Sequence, residues 1–311
     1  MSRARSHFLA DASLDRLGHL RKDAAWLQSA RARGQYLAVW RRKNLVGGDE
    51  PMTPVFLDAQ IAAGLDVASE VVLLGHRNDT PCFAIGLSGE SPPALPGSFE
   101  EIRGIGQRLR PADAALLAYA RAMIVWHERH RHCSVCGTRT ESIEAGHTRQ
   151  CPSCDAKHFP RVDPAIIVLV ADDQRCLLGR QAAWPTGRYS TIAGFVEPGE
   201  SLEDAVQREV REETGVCVAE VAYHSSQPWP FPSSLMAGFR ARPAGGAIDL
   251  RDGELEDARW VDRADIVAGR ILLPPRVSIA YRLIEEWFDS ADGRQLAQEA
   301  DPGPWIARPE S

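Results

Sequence analysis

Residues 208–213 read Arg-Glu-Val-Arg-Glu-Glu, which places several carboxylates beside guanidinium groups in one short stretch. The carboxylates are those of Glu209, Glu212 and Glu213. Ser201 and Asp204 form a capping pair that predicts the start of a helix, and Gly215 predicts its end. Because helix positions three and four apart are neighbours, the carboxylates would project over one arc of surface. Such an arc is typical of a site for Mg²⁺ or Mn²⁺, hard cations that also bind phosphate oxygens.

A longer pattern of fixed spacing surrounds this helix. It runs from Gly194 across five residues to Glu200, then across seven residues to the segment 208–216. An apolar stripe that would seat the helix on a core adjoins the acidic arc: Leu202, Val206 and Val210. Every fixed position matches the box of the Nudix hydrolases, so the chain resembles that family, which implies attack of water on a diphosphate linked to another moiety. For the helix alone, a solvated acidic face would be the simpler explanation, and the match at fixed spacing argues against it.

Four of the seven cysteines form two CxxC pairs separated by fourteen residues: Cys133, Cys136, Cys151 and Cys154. This spacing is typical of a zinc ribbon, in which four thiolates close a tetrahedral structural site. A redox pair is the competing explanation of a single CxxC, and the tandem arrangement favours one structural zinc ion per chain. His158 is a possible replacement ligand, but four thiolates already fill the coordination shell.

Composition excludes several classes of protein. A chain of 311 residues with 44% hydrophobic content has room for two domains with ordinary cores. Its formal net charge of −6 creates no global attraction to nucleic acid or anionic membrane. No apolar stretch approaches the roughly 18 residues of a membrane span. The first residues lack the apolar core of a signal peptide, so we expect a cytoplasmic protein without membrane contact.

These anchors divide the chain. We predict an N-terminal Nudix-like domain, a zinc ribbon, a catalytic Nudix domain and a C-terminal tail, at residues 1–130, 131–161, 162–295 and 296–311. Strand-like runs occur at residues 36–40 and 70–74, and residues 111–129 predict one helix with apolar positions at helical spacing. The histidine-rich run at residues 126–132 is interpreted as a solvated helix end rather than a metal site.

The segment after the ribbon predicts mixed strands and helices. Apolar runs at residues 165–170, 175–178, 216–223 and 235–240 predict strands, and residues 275–288 predict a closing helix. We therefore expect an α+β fold, a three-layer α/β/α sandwich with a mixed sheet. This is also the fold that the Nudix resemblance implies.

Residues 226–235 read Ser-Gln-Pro-Trp-Pro-Phe-Pro-Ser-Ser-Leu. Three prolines in so short a run do not suit a central strand, so we predict a stiff loop with flat apolar surfaces. A rigid connector with inward-facing aromatics is the alternative. The string is similar to the SQPWPFPxS signature of the NAD(H) diphosphatases within the Nudix superfamily, and tandem CxxC pairs belong to the same subgroup. The resemblance implies hydrolysis of NAD(H) at its diphosphate to nicotinamide mononucleotide, NMN or NMNH, and AMP.

The resemblance also implies roles for the acidic residues. The implied Mg²⁺ or Mn²⁺ ligands, for two or three cations, are the carbonyl of Ala193 with Glu209, Glu213 and Glu254. The implied catalytic set is Glu200, Arg208, Glu209, Glu212 and Glu213. Arg208 would orient the glutamates, and the general base would be Glu212 or Glu213. Glu256 remains an alternative to Glu254 because both lie in one acidic run.

The resemblance to the NAD(H) diphosphatases also implies a set of substrate-binding residues. The implied dinucleotide loop comprises Gln227, Pro228, Trp229, Pro230, Phe231, Pro232, Ser233 and Ser234. Phe195 would offer a ring for stacking, Phe159 matches a substrate-facing aromatic, and the backbone of Ala280 matches a substrate contact. Gly146 is a departure, because some relatives have a substrate-contacting Glu at that position.

Other functions remain open. Removal of NAD caps from RNA 5′ ends would use the same site, and an arginine-rich N-terminal third is compatible with it. A zinc-ribbon module that binds nucleic acid is disfavoured by the acidic charge and by the absence of basic residues interleaved with aromatics in the ribbon. Hydrolysis of ADP-ribose or dinucleoside polyphosphates is disfavoured by the 226–235 string. The resemblance alone predicts a homodimer.

Overall fold

The computed structural model describes residues 7–11, 13–67, 70–251, 253–291 and 293–300. They form two compact units. The N-terminal unit comprises residues 8–162 together with 230–233, and the C-terminal unit comprises His7, residues 163–229 and the described residues from 234 onward. None of the helices in the described ranges combines the length and the apolar character that a membrane crossing demands. The predicted tail largely falls outside these ranges, since residues 301–311 are not described.

The N-terminal unit begins with a sheet and its helices. The strands are β1 (Gln35–Trp40), β2 (Lys43–Gly47), β3 (Thr53–Pro54), β4 (Val72–Arg77), β5 (Thr80–Leu87) and β6 (Ser98–Glu100). The helices are α1 (Ala24–Arg33), α2 (Ala59–Ala63), α3 (Ile102–Ile105) and α4 (Pro111–Arg129). The sheet has the order β3-β2-β1-β5-β4, with β6 on β2, and β1 and β5 run parallel. The predicted helix at residues 111–129 is thus confirmed as α4.

The ribbon follows α4 in the same unit. Its three strands, β7 (Glu141–Ile143), β8 (Thr148–Gln150) and β9 (Lys157–His158), form one antiparallel sheet. The end of α4 is solvated only in part: Arg129 and His132 are exposed, as the sequence suggested, whereas His127 is only 1% exposed. Arg149 lies 2.8 Å from Nδ1 of His127 and, as a guanidinium, must donate. Nε2 of His127 therefore carries the proton and donates to the carbonyl of Gly146 at 2.8 Å.

The C-terminal unit is built around a second sheet. Its strands are β10 (Asp163–Ala171), β11 (Arg175–Arg180), β12 (Ile192–Phe195), β13 (Cys217–Trp229), β14 (Ser234–Gly245) and β15 (Asp257–Asp262). Its helices are α5 (Leu202–Thr214), α6 (Arg263–Val267), α7 (Ile279–Phe288) and α8 (Leu296–Glu299). The order is β13-β14-β10-β11-β15, with β12 on β10. The pair β10 and β14 is parallel and the other pairs are antiparallel, so the sheet is mixed as expected.

Strand β10 has both faces buried, and its side chains alternate between two cores. Ile166 and Val168 pack with Val206 and Val210 of α5. The intervening Ile167 packs on the opposite face, in the core that includes most of α7. The sheet therefore lies between α5 and α7, and the predicted α/β/α sandwich is confirmed.

The proline-rich string does not form one continuous loop. Gln227, Pro228 and Trp229 end β13 and pair with residues 234–236 of β14, so the expectation of a loop was wrong for this part. Strand β13 lies at the edge of the sheet, where the missing N–H of Pro228 is tolerated. Only residues 230–233 form the connecting turn. The closing helix also starts later than predicted, because Ser278 caps α7 by accepting from the amide of Tyr281.

Candidate active site

Helix α5 carries the acidic arc and begins with a capping box. Ser201 Oγ accepts from the amide of Asp204 at 3.1 Å, and the Asp204 carboxylate accepts from the amide of Ser201 at 3.2 Å. Gly215 ends the helix with a positive φ of 74°, as glycine permits. Both predicted helix boundaries are thus confirmed, and the apolar stripe of α5 faces the sheet.

Arg208 is the centre of the acidic cluster. Its guanidinium donates to both carboxylate oxygens of Glu200, at 2.5 and 2.9 Å. It also lies 2.9 Å from Glu209 and 3.0 Å from Glu212, and it donates to the carbonyl of Phe195 at 2.9 Å. Such charge-assisted bonds fix the carboxylates and neutralise part of their repulsion. One arginine therefore orients three glutamates.

These contacts change the proton affinities. Hydrogen bonds from Arg208 lower the pKa of Glu200 to about 2. The same bonds, first of all the one to Glu200, raise the pKa of Arg208. Burial raises the pKa of Glu209, although the Arg208 guanidinium opposes this shift.

The Glu209 carboxylate lies directly against the backbone of Gly194. An ideal Cβ at Gly194 would stand 2.0 Å from the carboxylate carbon of Glu209, far inside any real contact. Gly194 lies on β12, where it pairs with Ile166 of β10. The glycine of the box is thus required by the packing of the glutamate against the strand.

A cavity of about 1100 Å³ opens over this cluster. Its floor crosses three strands, because Ala165 of β10 pairs with Phe195 of β12 and with Met236 of β14. Five carboxylates and three guanidinium groups line it: Glu197, Glu209, Glu212, Asp249, Glu254, Arg208, Arg211 and Arg251. Ala193 and Gly194 also line the cavity. The implied ligands Ala193, Glu209 and Glu254 thus come together in one place.

Two implied acidic residues lie elsewhere. Glu213 is 4% exposed and lies on the buried side of α5, outside the lining of the cavity. Glu256 forms an ion pair with Arg180 at 2.6 Å, whereas Glu254 lines the cavity. Of the two residues, the structure therefore places Glu254, and not Glu256, in the lining of the cavity.

The implied substrate residues are only partly brought together. Phe195, 59% exposed, and Ser234 line the cavity. Gln227 is fully buried, accepts from the amide of Ile279 and donates to the carbonyl of Val277, each at 2.8 Å. It therefore anchors the start of α7. Ala280 lies in the first turn of α7, is buried in the core and is not among the residues that line the cavity.

The turn after β13 belongs to the N-terminal unit. The Phe231 ring stacks under Arg103 and Arg121, whose guanidinium carbons lie 5.5 and 4.9 Å from its centroid. Arg121 also donates to the carbonyl of Pro230. Phe159 belongs to the same unit and is 64% exposed. Gly146 has a φ of 91°, and a Cβ there would stand 2.8 Å from Val72, so the position cannot easily carry a glutamate.

The four ribbon cysteines converge. In the part of the chain that the structure describes, their four Sγ atoms all lie within 4.8 Å of one another, close enough to bind one metal ion. The Sγ atoms of Cys133 and Cys154 lie 3.7 Å apart, and those of Cys136 and Cys151 lie 3.4 Å apart. Zinc–sulfur bonds of about 2.3 Å in a tetrahedron imply sulfur separations of about 3.8 Å. The donor set therefore fits a zinc ion.

Sequence reasoning missed several residues that line the cavity: Gln181, Arg211, Met236, Asp249 and Arg251. Arg211 lies three positions after Arg208 on α5, so helical periodicity could have identified it. Asp249 and Arg251 lie in an irregular segment after β14, and no local pattern marks them.

The sandwich, the box and the acidic cavity define a Nudix hydrolase domain. Family models match three consecutive segments: an NADH pyrophosphatase-like rudimentary NUDIX domain at residues 33–126, an NADH pyrophosphatase zinc ribbon domain at 128–159 and a NUDIX domain at 160–287. The chain belongs to the Nudix family, in the branch that carries the NADH pyrophosphatase zinc ribbon.

Two curated relatives illustrate the similarity. The NAD-capped RNA hydrolase NudC of Stutzerimonas stutzeri is 42% identical over 71% of this chain and 78% of its own length. The NAD-capped RNA hydrolase NUDT12 of Macaca fascicularis is 39% identical over 75% of this chain, but the matched segment spans only 50% of that relative. A NUDIX hydrolase crystal structure from Nitrosomonas europaea covers 53% of this chain and 94% of its own, with a TM-score of 0.43 and 22% identity.

Proposed function

We propose that the protein hydrolyses the diphosphate of NAD(H), producing nicotinamide mononucleotide, reduced or oxidised, and AMP, with Mg²⁺ or Mn²⁺ as the catalytic cation. The observation that carries this proposal is the convergence of Glu209, Glu212 and Glu254 with Arg208 and Phe195 in one cavity. The ribbon and the two matched NADH pyrophosphatase domains support the choice of NAD(H) among diphosphate substrates.

The charge of the cavity supports a requirement for divalent cations. Five carboxylates against three guanidinium groups would repel an anionic diphosphate. Carboxylate and carbonyl oxygens are the donors that Mg²⁺ and Mn²⁺ prefer. Ala193, Glu209 and Glu254 would supply them at the cavity, with Glu213 close by on the same helix. When bound, two or three such cations would supply charge neutralisation of the diphosphate and a lowered pKa of water.

The residues of the chain would then position the reactants. Arg208 holds Glu209 and Glu212 in place, and Phe195 offers an exposed ring on which a base stacks. The oxygen of a water molecule would form a bond to one phosphorus of the diphosphate. The bond between that phosphorus and the bridging oxygen would break, and the other phosphate would leave with the bridging oxygen. Glu212, whose side chain is 50% exposed, is the more accessible of the two predicted bases and would accept the proton of that water.

The zinc ion of the ribbon would be structural. Four thiolates leave no open position for a substrate or a water. We therefore assign Cys133, Cys136, Cys151 and Cys154 to one ion per chain.

Product analysis tests the proposal. NADH, NAD⁺, ADP-ribose and NAD-capped RNA are supplied at equal concentration with Mg²⁺ or Mn²⁺, and the products are separated and identified. We expect AMP and the mononucleotide from NADH or NAD⁺ at rates well above those with ADP-ribose. A preference for ADP-ribose, or no turnover of either dinucleotide, would contradict the proposal.

Removal of NAD caps from RNA is the second candidate, and it is favoured by the similarity to two NAD-capped RNA hydrolases. The same diphosphate would be cleaved, and the second product would be RNA with a 5′-monophosphate instead of AMP. The capped RNA arm of the experiment measures this activity directly.

We also propose a cytoplasmic homodimer. All seven cysteines are unpaired, which suits a reducing compartment. The dimer is proposed on the family resemblance alone, and light scattering that gives about twice the 34.2 kDa of one chain would support it.

A further inference from the structure

The cavity extends along α5 beyond the glutamates. Arg208, Arg211 and Gly215 all line it, and they lie on one face of the helix. Seven residues of helix separate the first from the last, which corresponds to about 10 Å along the axis. The cavity therefore has a second end, away from Glu200 and the start of the helix.

The segment that lines this second end is held firmly. The amide of Asp249 donates to the carbonyl of Thr214 at 2.9 Å, which ties the segment to the end of α5. A Cβ at Gly246 would stand 2.4 Å from the carbonyl of Gly215, so the two backbones are in close contact. Ile248 packs against the core beneath α5. Asp249 and the nearby Arg251 thus have a defined place at the cavity.

Two guanidinium groups, those of Arg211 and Arg251, lie at this end of the cavity, and only one of them is in an ion pair with a residue that the structure describes. Arg251 pairs with Asp249 at 2.5 Å, and its side chain is 85% exposed. Arg211 is exposed on the last turn of α5 and has no ion pair or hydrogen bond to another side chain in the described ranges. Glu212, its neighbour in sequence, pairs with Arg208 and not with Arg211. A positive charge is therefore available to an anionic ligand.

Free NAD(H) offers no anion for this end of the cavity. Its negative charges lie on the diphosphate, which the glutamates and their cations would bind at the first end of the cavity. A phosphoryl group attached to the adenosine ribose would lie several ångströms from that diphosphate. Arginine suits such a group because its planar fork donates two parallel hydrogen bonds to phosphate oxygens.

We propose that Arg211 and Arg251 form a second anion subsite, which binds a phosphoryl group on the adenosine ribose of the substrate. The inference rests on the proposed function and extends its substrate class. A 2′-phosphate, as in NADPH, and the 3′-phosphodiester that begins the body of a capped RNA share this chemistry. The subsite favours such substrates over NADH.

The first test compares substrates. kcat/KM is measured for NADH, NADPH and NAD-capped RNA with the wild type, Arg211→Ala, Arg251→Ala and the double variant. The matched control is Arg242→Ala, because Arg242 is 53% exposed on β14 of the same unit and pairs with Asp173 instead of lining the cavity. For each ribose-phosphorylated substrate, kcat/KM is divided by kcat/KM for NADH. We expect this ratio to fall about tenfold to a hundredfold in the double variant for at least one of the two substrates. A fall of this size corresponds to the loss of one charge-assisted hydrogen bond. The control keeps the wild-type ratio.

The two phosphorylated substrates distinguish the source of the phosphate. A fall with NADPH alone assigns the subsite to a 2′-phosphate, and a fall with capped RNA alone assigns it to a 3′-phosphodiester. Ratios in the double variant that equal those of the wild type for both substrates would overturn the proposal.

A binding experiment separates the subsite from the reaction. Calorimetry with AMP, adenosine 2′,5′-bisphosphate and adenosine 3′,5′-bisphosphate needs no turnover. We expect one bisphosphate to bind at least about tenfold more tightly than AMP, with a preference that disappears in the double variant and weakens at high salt. Equal affinities for all three ligands would refute the subsite, even if NADH is hydrolysed. If the wild type binds a bisphosphate more tightly than AMP but does not hydrolyse NADH, only the proposed function would be refuted.

Discussion

The carboxylate of Glu209 occupies the space in which a side chain at Gly194 would begin. An added Cβ would lie 2.0 Å from its carboxylate carbon, and the Arg208 guanidinium pairs with the same carboxylate at 2.9 Å. Two residues fifteen positions apart, one on a strand and one on a helix, are thereby packed together at one proposed metal ligand.

Gly194→Ala is expected to abolish most activity without unfolding the protein. The new methyl group would push the Glu209 carboxylate, the flexible end of a side chain, out of its place instead of displacing backbone. We expect kcat to fall at least about a hundredfold, with a melting temperature close to that of the wild type. Gly18→Ala is the control, because a Cβ there meets no atom within 4 Å. A Gly194→Ala variant with wild-type kcat would show that the carboxylate position does not matter.

Glu209→Gln and Glu213→Gln test whether negative charge is required. Each change keeps the shape of the side chain and removes a proposed cation ligand, so kcat in saturating Mn²⁺ should fall at least about a hundredfold. Glu203→Gln is the control, since Glu203 is an exposed residue in the first turn of the same helix. Because Glu213 is buried outside the cavity lining, its variant is decisive for that residue. More than a tenth of wild-type activity would remove Glu213 from the ligand set.

Cys151→Ser should release the zinc ion and destabilise the ribbon. Cys151 is fully buried, and structural zinc contributes directly to folding. Elemental analysis should find about one zinc per chain in the wild type and substantially less in the variant, together with a lower melting temperature. Cys217→Ser, a change at an exposed thiol outside the ribbon, should alter neither. Wild-type protein that is purified without chelator and contains no zinc would contradict the assignment.

Phe195→Ala should weaken substrate binding more than catalysis. Stacking on a base contributes about 1–3 kcal/mol, so KM for NADH should rise roughly tenfold to a hundredfold. Tyr223→Ala is a matched control because Tyr223 is also 59% exposed but does not line the cavity. Trp229→Ala, at the end of β13, should instead lower the melting temperature if its ring has a structural role. A wild-type KM for NADH in Phe195→Ala would exclude Phe195 as a recognition residue.

Two buried histidines should make the N-terminal unit sensitive to acid. Burial lowers the pKa values of His127 and His147 to about 4. The unfolded chain, with pKa values near 6.5, binds protons more readily, so the free energy of unfolding is highest above about pH 6.5 and falls between pH 6.5 and 4. Denaturation curves at pH 7.5, 6 and 5 measure this slope. The double variant His127→Gln, His147→Gln should show a shallower slope, and an identical slope would contradict the prediction.

Local periodicity determined much of this protein from sequence alone. The boundaries of α5 and the two CxxC pairs of the ribbon depend on residues within one turn of helix or a few positions of each other. The common arc predicted for the glutamates holds only in part, because Glu213 is buried outside the lining of the cavity. The continuous apolar run at residues 165–170 likewise predicted a strand, and in the structure its side chains alternate between two cores. Spacing of this kind reflects the geometry of the backbone itself, which is the same in every fold.

Only the tertiary structure decided which distant residues meet. Gln227 was expected in a substrate loop, but it pairs in β13, is fully buried and accepts from the amide of Ile279, the first residue of α7. Glu254 and Glu256 are indistinguishable in sequence, yet one lines the cavity while the other pairs with Arg180. Arg251 comes to α5 because the segment after β14 bonds to the end of that helix. Such contacts join residues tens of positions apart and depend on strand register and chain path, which no local pattern encodes.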